Sequence, residues 1–145
     1  MTQERVDLDS SIGYALKQAA TALRTAMDTA LHPLELTVTQ YACLELLGQR
    51  PGLSAAELAR GVFVTRQSMH TALQGLADRG LLTRPDTAPQ GRALPTRLTD
   101  DGTRLLTRAS RVVAAVERRM LEALPAGNLE RLRDDLIACA NAFDS

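Results

Sequence analysis

Apolar residues recur at helical spacing along most of this chain, and the interruptions fall at residues that start or stop helices. From Asp9 or Ser10 as N-cap, the positions Ile12, Leu16, Ala19, Ala20, Leu23, Met27, Ala30 and Leu31 predict a long amphipathic helix that Pro33 ends. Thr37 with Gln40 has the spacing of a capping box, in which each side chain satisfies an orphan amide at a helix start. It opens a helix carrying Tyr41, Leu44 and Leu47. Pro51-Gly52 breaks the chain, and Leu53 is placed to form a strand of one or two residues. Ser54 with Glu57 is a second capping box, opening a short helix with Leu58 on its inner face. Gly61 is expected to close it through a left-handed turn.

Thr65 offers the next N-cap, and Met69, Ala72, Leu73 and Leu76 form an inward stripe that Gly80 terminates. Leu81 to Arg84 has strand character, Pro85 to Gly91 is a turn by composition, and Leu94 to Leu98 returns as the antiparallel partner. Arg92 then stands near the tip of a hairpin. Thr99 caps a long helix with Asp100 and Asp101 in its first turn, where the helix dipole favours negative charge. That helix is expected to run to about Leu124, before Pro125, and a last helix to run from about Asn128 to Phe143. Two tightly joined helices, the second with a polar, basic-tipped outer face, make a helix-turn-helix, and the hairpin makes it winged. The predicted class is mainly α with a small β wing.

The net charge of zero gives DNA binding no support in bulk, but its distribution does. Residues 60–97 hold six basic and two acidic side chains, whereas residues 1–59 hold four and seven. The basic segment contains the helix pair and the hairpin, and local positive surface is what phosphate binding requires. Cys43 and Cys139 stand in apolar helical patterns without zinc-type spacing, so both are expected to pack, with no metal and no cofactor implied. No nucleophile–base pair or carboxylate dyad occurs at useful spacing, which argues against an enzyme. No apolar run approaches a bilayer span and no signal-peptide pattern opens the chain, so a soluble, cytoplasmic protein without membrane contact is expected.

The segments LTVTQYACLELL (Leu36–Leu47), SAAELARGVFVTRQSMHTALQGLADRGLL (Ser54–Leu82) and GRALPTRLTDDG (Gly91–Gly102), with the long helix after them, resemble the MarR family of bacterial winged-helix regulators. The resemblance runs from about residue 10 to 143. It implies a single MarR-type domain over residues 1–145, with dimerisation helices at about 10–32 and 100–145 around a winged helix-turn-helix at about 36–99. It also implies an obligate homodimer and a small-molecule pocket between the dimer helices and each winged helix, often accepting aromatic carboxylates. Tyr14, His32 and Tyr41 are the polar-tipped residues placed to line that pocket, against the alternative that all three simply pack. The family commonly braces its wing arginine with an aspartate two residues earlier; here Gln90 holds that position, without the charge assistance. Cysteine redox sensors of the family place the thiol near the start of the first helix, where this chain has none.

The helix N-terminus enters the groove, which makes Gln67, Ser68, His70 and Thr71 the candidates for base edges, with Gln74 farther along the same face. Arg66 and Arg84 are candidates for phosphate, Thr65 for phosphate through its helix-start amides, and Arg92 for the narrow minor groove. The expected function is a homodimeric repressor that binds a pseudo-palindromic duplex and is released by a small aromatic or phenolic ligand. The alternative is a winged-helix protein-interaction or assembly module without ligand response.

Overall fold

The computed structural model describes residues 5–84 and 95–144. Within them the order is α1 (Ile12–Leu31), a 3-10 turn (His32–Leu34), α2 (Val38–Gln49), α3 (Ala55–Gly61), α4 (Arg66–Asp78), β1 (Leu82–Thr83), β2 (Arg97–Leu98), α5 (Asp100–Leu121) and α6 (Leu129–Asn141). The mainly helical, winged architecture expected from the pattern is therefore present.

Caps explain most of the boundaries. Thr37–Gln40 and Ser54–Glu57 both form the full reciprocal capping box. Thr65 and Thr99 cap α4 and α5 by accepting from the amides of Ser68 and Gly102. The cap of α1 is Ser11 rather than Asp9 or Ser10, because the Ser10 hydroxyl is engaged by Asp7 in the preceding turn. At the other end α5 stops at Leu121, short of Leu124, and α6 at Asn141, short of Phe143.

The core lies in the winged helix. Leu44, Leu47, Leu58, Met69, Leu73 and Leu76 are fully buried with Cys43 and Leu31, and Leu105 and Ala109 of α5 close the cluster from above. Leu82 pairs with Leu98 and Thr83 with Arg97 in a two-stranded antiparallel sheet. Leu53 does not form a strand, but its carbonyl accepts from the Thr96 amide at 3.0 Å, which holds the base of the wing against the α2–α3 turn. The start of α5 is fastened to the end of α4. Thr99 donates its hydroxyl to the Gly80 carbonyl (2.7 Å) and its amide to the Leu81 carbonyl (3.1 Å). A side chain at Gly102 would collide with that Leu81 carbonyl, so glycine is required for the close approach.

Outside this core the chain is open. α1 packs against α5, leaving a cleft of about 260 Å³ lined by Ala19, Ala22, Leu23, Ala26, Val116, Arg119 and Met120. Of the predicted apolar stripe of α1 only Leu31 is buried. α6 buries none of its residues, so Cys139, expected to pack, is exposed. Among the described residues no helix is long and apolar enough to cross a membrane.

Candidate nucleic-acid interface

The buried stripe of α4 determines which of its residues are left for chemistry. Met69, Ala72, Leu73 and Leu76 point into the core, so Arg66, Gln67, Ser68, His70, Thr71 and Gln74 all emerge on the opposite, exposed face. The structure thus brings six of the sequence-selected residues onto one surface, with Thr65 exposed at its N-terminal edge.

Hydrogen bonds inside that surface restrict what each group still offers. Thr65 Oγ1 accepts from the Ser68 amide and donates to Ser68 Oγ, both at 3.1 Å. Thr71 donates its hydroxyl proton to the Gln67 carbonyl at 3.1 Å, so toward solvent it is an acceptor. Gln74 donates to Asp78 Oδ1 at 2.8 Å, which leaves its own carbonyl oxygen free. Arg84, half-buried beyond β1, lies 3.3 Å from His70 Nδ1. A guanidinium only donates, so Nδ1 accepts in this contact and the ring proton stands on Nε2. His70, Thr71, Gln74, Gly75 and Arg84 together line an open groove beside the helix.

Arg92, with Gln90 and the whole Pro85–Gly91 turn, lies outside the described residues. The described part of the wing adds a cation that sequence reasoning passed over: Arg97, exposed on β2 opposite Thr83. It counted toward the basic segment, but its alternation with the buried Thr96 was the available signal that it faces out.

The turn between α3 and α4 differs from expectation. Gly61 is not the left-handed residue; Phe63 is, at φ 61, and the residue is 93% exposed. Gly61 serves packing instead, since a Cβ there would stand 2.5 Å from Leu46 Cδ2. A side chain there would make the Leu46 side chain of α2 move aside, and the left-handed reversal falls two residues onward, on Phe63.

Within the single chain, Tyr14 and His32 are not brought together. Tyr14 sits in the first turn of α1 and His32 just past its end, about 27 Å apart at 1.5 Å per residue. Both are exposed. Tyr41 is half-buried where α2 meets α5, donating to Glu45 Oε2 at 3.1 Å. Burial, then the Glu45 charge, pushes its phenol up to about 12. Glu45 also accepts from Gln49 (2.9 Å) and from Ser110 of α5 (2.7 Å). Two residues away, burial pushes the Cys43 thiol up to about 12 against the opposing pull of Arg84, so it stays a protonated, unreactive thiol.

Comparison with known proteins gives this surface a context. A model of the MarR family matches residues 34–93. Over 118 residues the chain is 45% identical to the HTH-type transcriptional repressor Rv2887 of Mycobacterium tuberculosis (strain ATCC 25618 / H37Rv), an alignment covering 81% of this chain and 85% of that protein. The structure of Rv2887 in complex with DNA is similar at a TM-score of 0.76 and 40% identity, over 90% of this chain and 98% of that one. Its complex with salicylic acid gives 0.73 and 41%, over 90% and 97%. The transcriptional repressor CouR, bound to a 23-mer DNA duplex, gives 0.83 and 30%, over 97% and 99%.

Proposed function

The chain belongs to the MarR family of winged helix-turn-helix regulators, and from that premise we infer that it is a homodimeric, sequence-specific DNA-binding repressor responsive to a small ligand. The observation that carries this reading is the outer face of α4: Arg66, Gln67, Ser68, His70 and Thr71 exposed together at its N-terminal half, behind a fully buried apolar stripe. Gln67, Ser68, His70 and Thr71 reach base edges, and Gln74 extends the same face. His70 presents Nε2–H to acceptors and Thr71 an oxygen to donors, which gives the helix both polarities. Arg66 and Arg84 neutralise phosphates, and Thr65 places the first amides of α4 toward another. Arg92 enters the minor groove from the wing.

Two copies reading two half-sites about one helical turn apart require a pseudo-palindromic operator. The helices at about 10–32 and 100–145 form the dimer, and residues of about 36–99 form each reading head. With DNA as its partner, the protein works in the cytoplasm. The effector is an aromatic carboxylate, a class to which the salicylic acid in the Rv2887 complex belongs. Tyr41 stands at the junction of α2 and α5 where such a molecule would act; Tyr14 and His32 lie too far apart to line one pocket with it within a single chain. Such a ligand releases DNA only if it binds the DNA-incompetent arrangement more tightly.

Selection from a random-sequence duplex library, followed by salt-titrated binding of the enriched sequence, tests the proposal. A palindromic enriched sequence bound at least about 1000-fold more tightly than scrambled duplex is expected. Affinity that stays at the nonspecific level for every sequence would overturn it. Salicylic acid should weaken the specific complex and raise the melting temperature of the free protein.

A further inference from the structure

Besides the Thr99 contacts at the start of α5, side-chain hydrogen bonds tie the winged helix to its two arms at two further places, the bend after α1 and the middle of α5. Arg79, at the C-cap of α4, donates Nη1 to the Glu35 carbonyl at 2.6 Å and Nη2 to the Leu34 carbonyl at 3.2 Å. Those carbonyls belong to the bend between α1 and α2, where Glu35 adopts a left-handed conformation (φ 55, ψ 40) that a residue with a side chain seldom takes. On the other side, Ser110 of α5 donates to Glu45 of α2 at 2.7 Å.

The geometry points to Arg79 and the Glu45–Ser110 pair as positioning residues, which fix the angle of the reading head on its two arms and so the separation of the recognition helices in the dimer. This rests on the function proposed above. A planar guanidinium bonded to two successive carbonyls restrains orientation as well as distance, which a single contact does not. The two tethers bind the head to different arms, one at the end of α1 and one midway along α5. Together with the Thr99 bonds and the shared apolar core, they hold the head at points on both arms and so restrain its rotation about either one. The left-handed Glu35 bend is the segment that would swing on release, because it joins α1 to α2 with no long helix of its own.

The competing role for Arg79 is a direct phosphate contact, and the two roles give opposite results. The probe is the duplex enriched by the wild-type chain, remade with the half-sites moved one or two base pairs closer or farther apart, and as a single half-site. Arg79→Gln is expected to weaken binding at the selected spacing about 5-fold, the size of one net hydrogen bond. It should flatten the preference between spacings, leave single half-site affinity unchanged and leave the salt slope unchanged. Arg79→Lys should behave like Arg79→Gln, because an ammonium keeps the charge but not the planar fork. A phosphate contact would instead lower the slope of log K against log salt by about 0.9, weaken the single half-site equally and be rescued by lysine; that result overturns the inference. Ser110→Ala should also flatten the spacing preference and Ser110→Thr should restore it, a second arm that holds if Arg79→Gln folds poorly. If the wild type enriches no sequence, the functional reading itself fails. If it does and the variants keep the wild-type spacing preference, only this inference fails.

Discussion

The winged helix and the last helix have similar apolar spacing in sequence and opposite fates in the structure. In the winged helix, Leu44, Leu58, Met69, Leu73 and Leu76 have no accessible surface left. In α6, Leu129, Leu132, Leu136 and Ile137 recur at the same helical spacing and remain 38–44% exposed. One region finishes its core within a single chain; the other presents an apolar stripe that only another surface can cover. A reading head whose core closes within one chain, on an arm that needs a partner, suits a two-fold DNA reader, because assembly sets the spacing without reshaping the reading surface.

Substitutions separate these two regions. Leu73→Ala should cost about 3 kcal/mol of unfolding free energy by emptying a filled core position, read by denaturant melts of the whole protein. A cost below about 1 kcal/mol would mean the head is not the rigid part. The double change Leu132→Asp with Leu136→Asp should leave the head folded but abolish the dimer in sedimentation, and lower operator affinity about 100-fold by removing bivalency. If that variant stays dimeric, α6 is not the incomplete surface. Thr65→Ala removes the α4 cap and should cost about 1 kcal/mol in thermal melts, again without changing the oligomeric state.

The smallest effect is a pH dependence confined to the head. Hydrogen bonds from the Ser54 amide and hydroxyl lower the Glu57 carboxyl below its ordinary value. A depressed carboxylate adds stability that is fully present above the unfolded-state value of about 4.3 and is lost as pH falls through the lower folded one. Glu57→Gln keeps the capping geometry and should reduce that acid dependence slightly. An unchanged acid limb would show that the capping box contributes no linkage.

Much of this was legible in the chain because its determinants are local. The Thr37–Gln40 and Ser54–Glu57 boxes, the Thr65 and Thr99 caps and the Gly80 stop each depend on residues within four positions, and each formed. The left-handed turn was misplaced at Gly61 because the reason for that glycine is Leu46, fifteen positions earlier and on another helix. Cys139 is exposed within the single chain for the related reason that an apolar pattern reports a face to be buried without saying what buries it. The exposed face of α4 could be read in full because it is the complement of a local stripe. The grouping of Tyr14, His32 and Tyr41 could not be tested by spacing, since two of them are separated by the length of a helix.

The sequence by itself determined the order of the helices and most of their capped starts, which face of α4 is polar and where positive charge collects, since these are set by hydrogen bonds and periodicities spanning a few residues. Only the tertiary structure decided that Arg79 reaches Leu34 and Glu35, that Ser110 meets Glu45, that Arg84 lies against His70, and that α6 is left without a cover. Those outcomes follow from how packed helices bring distant residues within hydrogen-bonding range, and no local periodicity carries that distance.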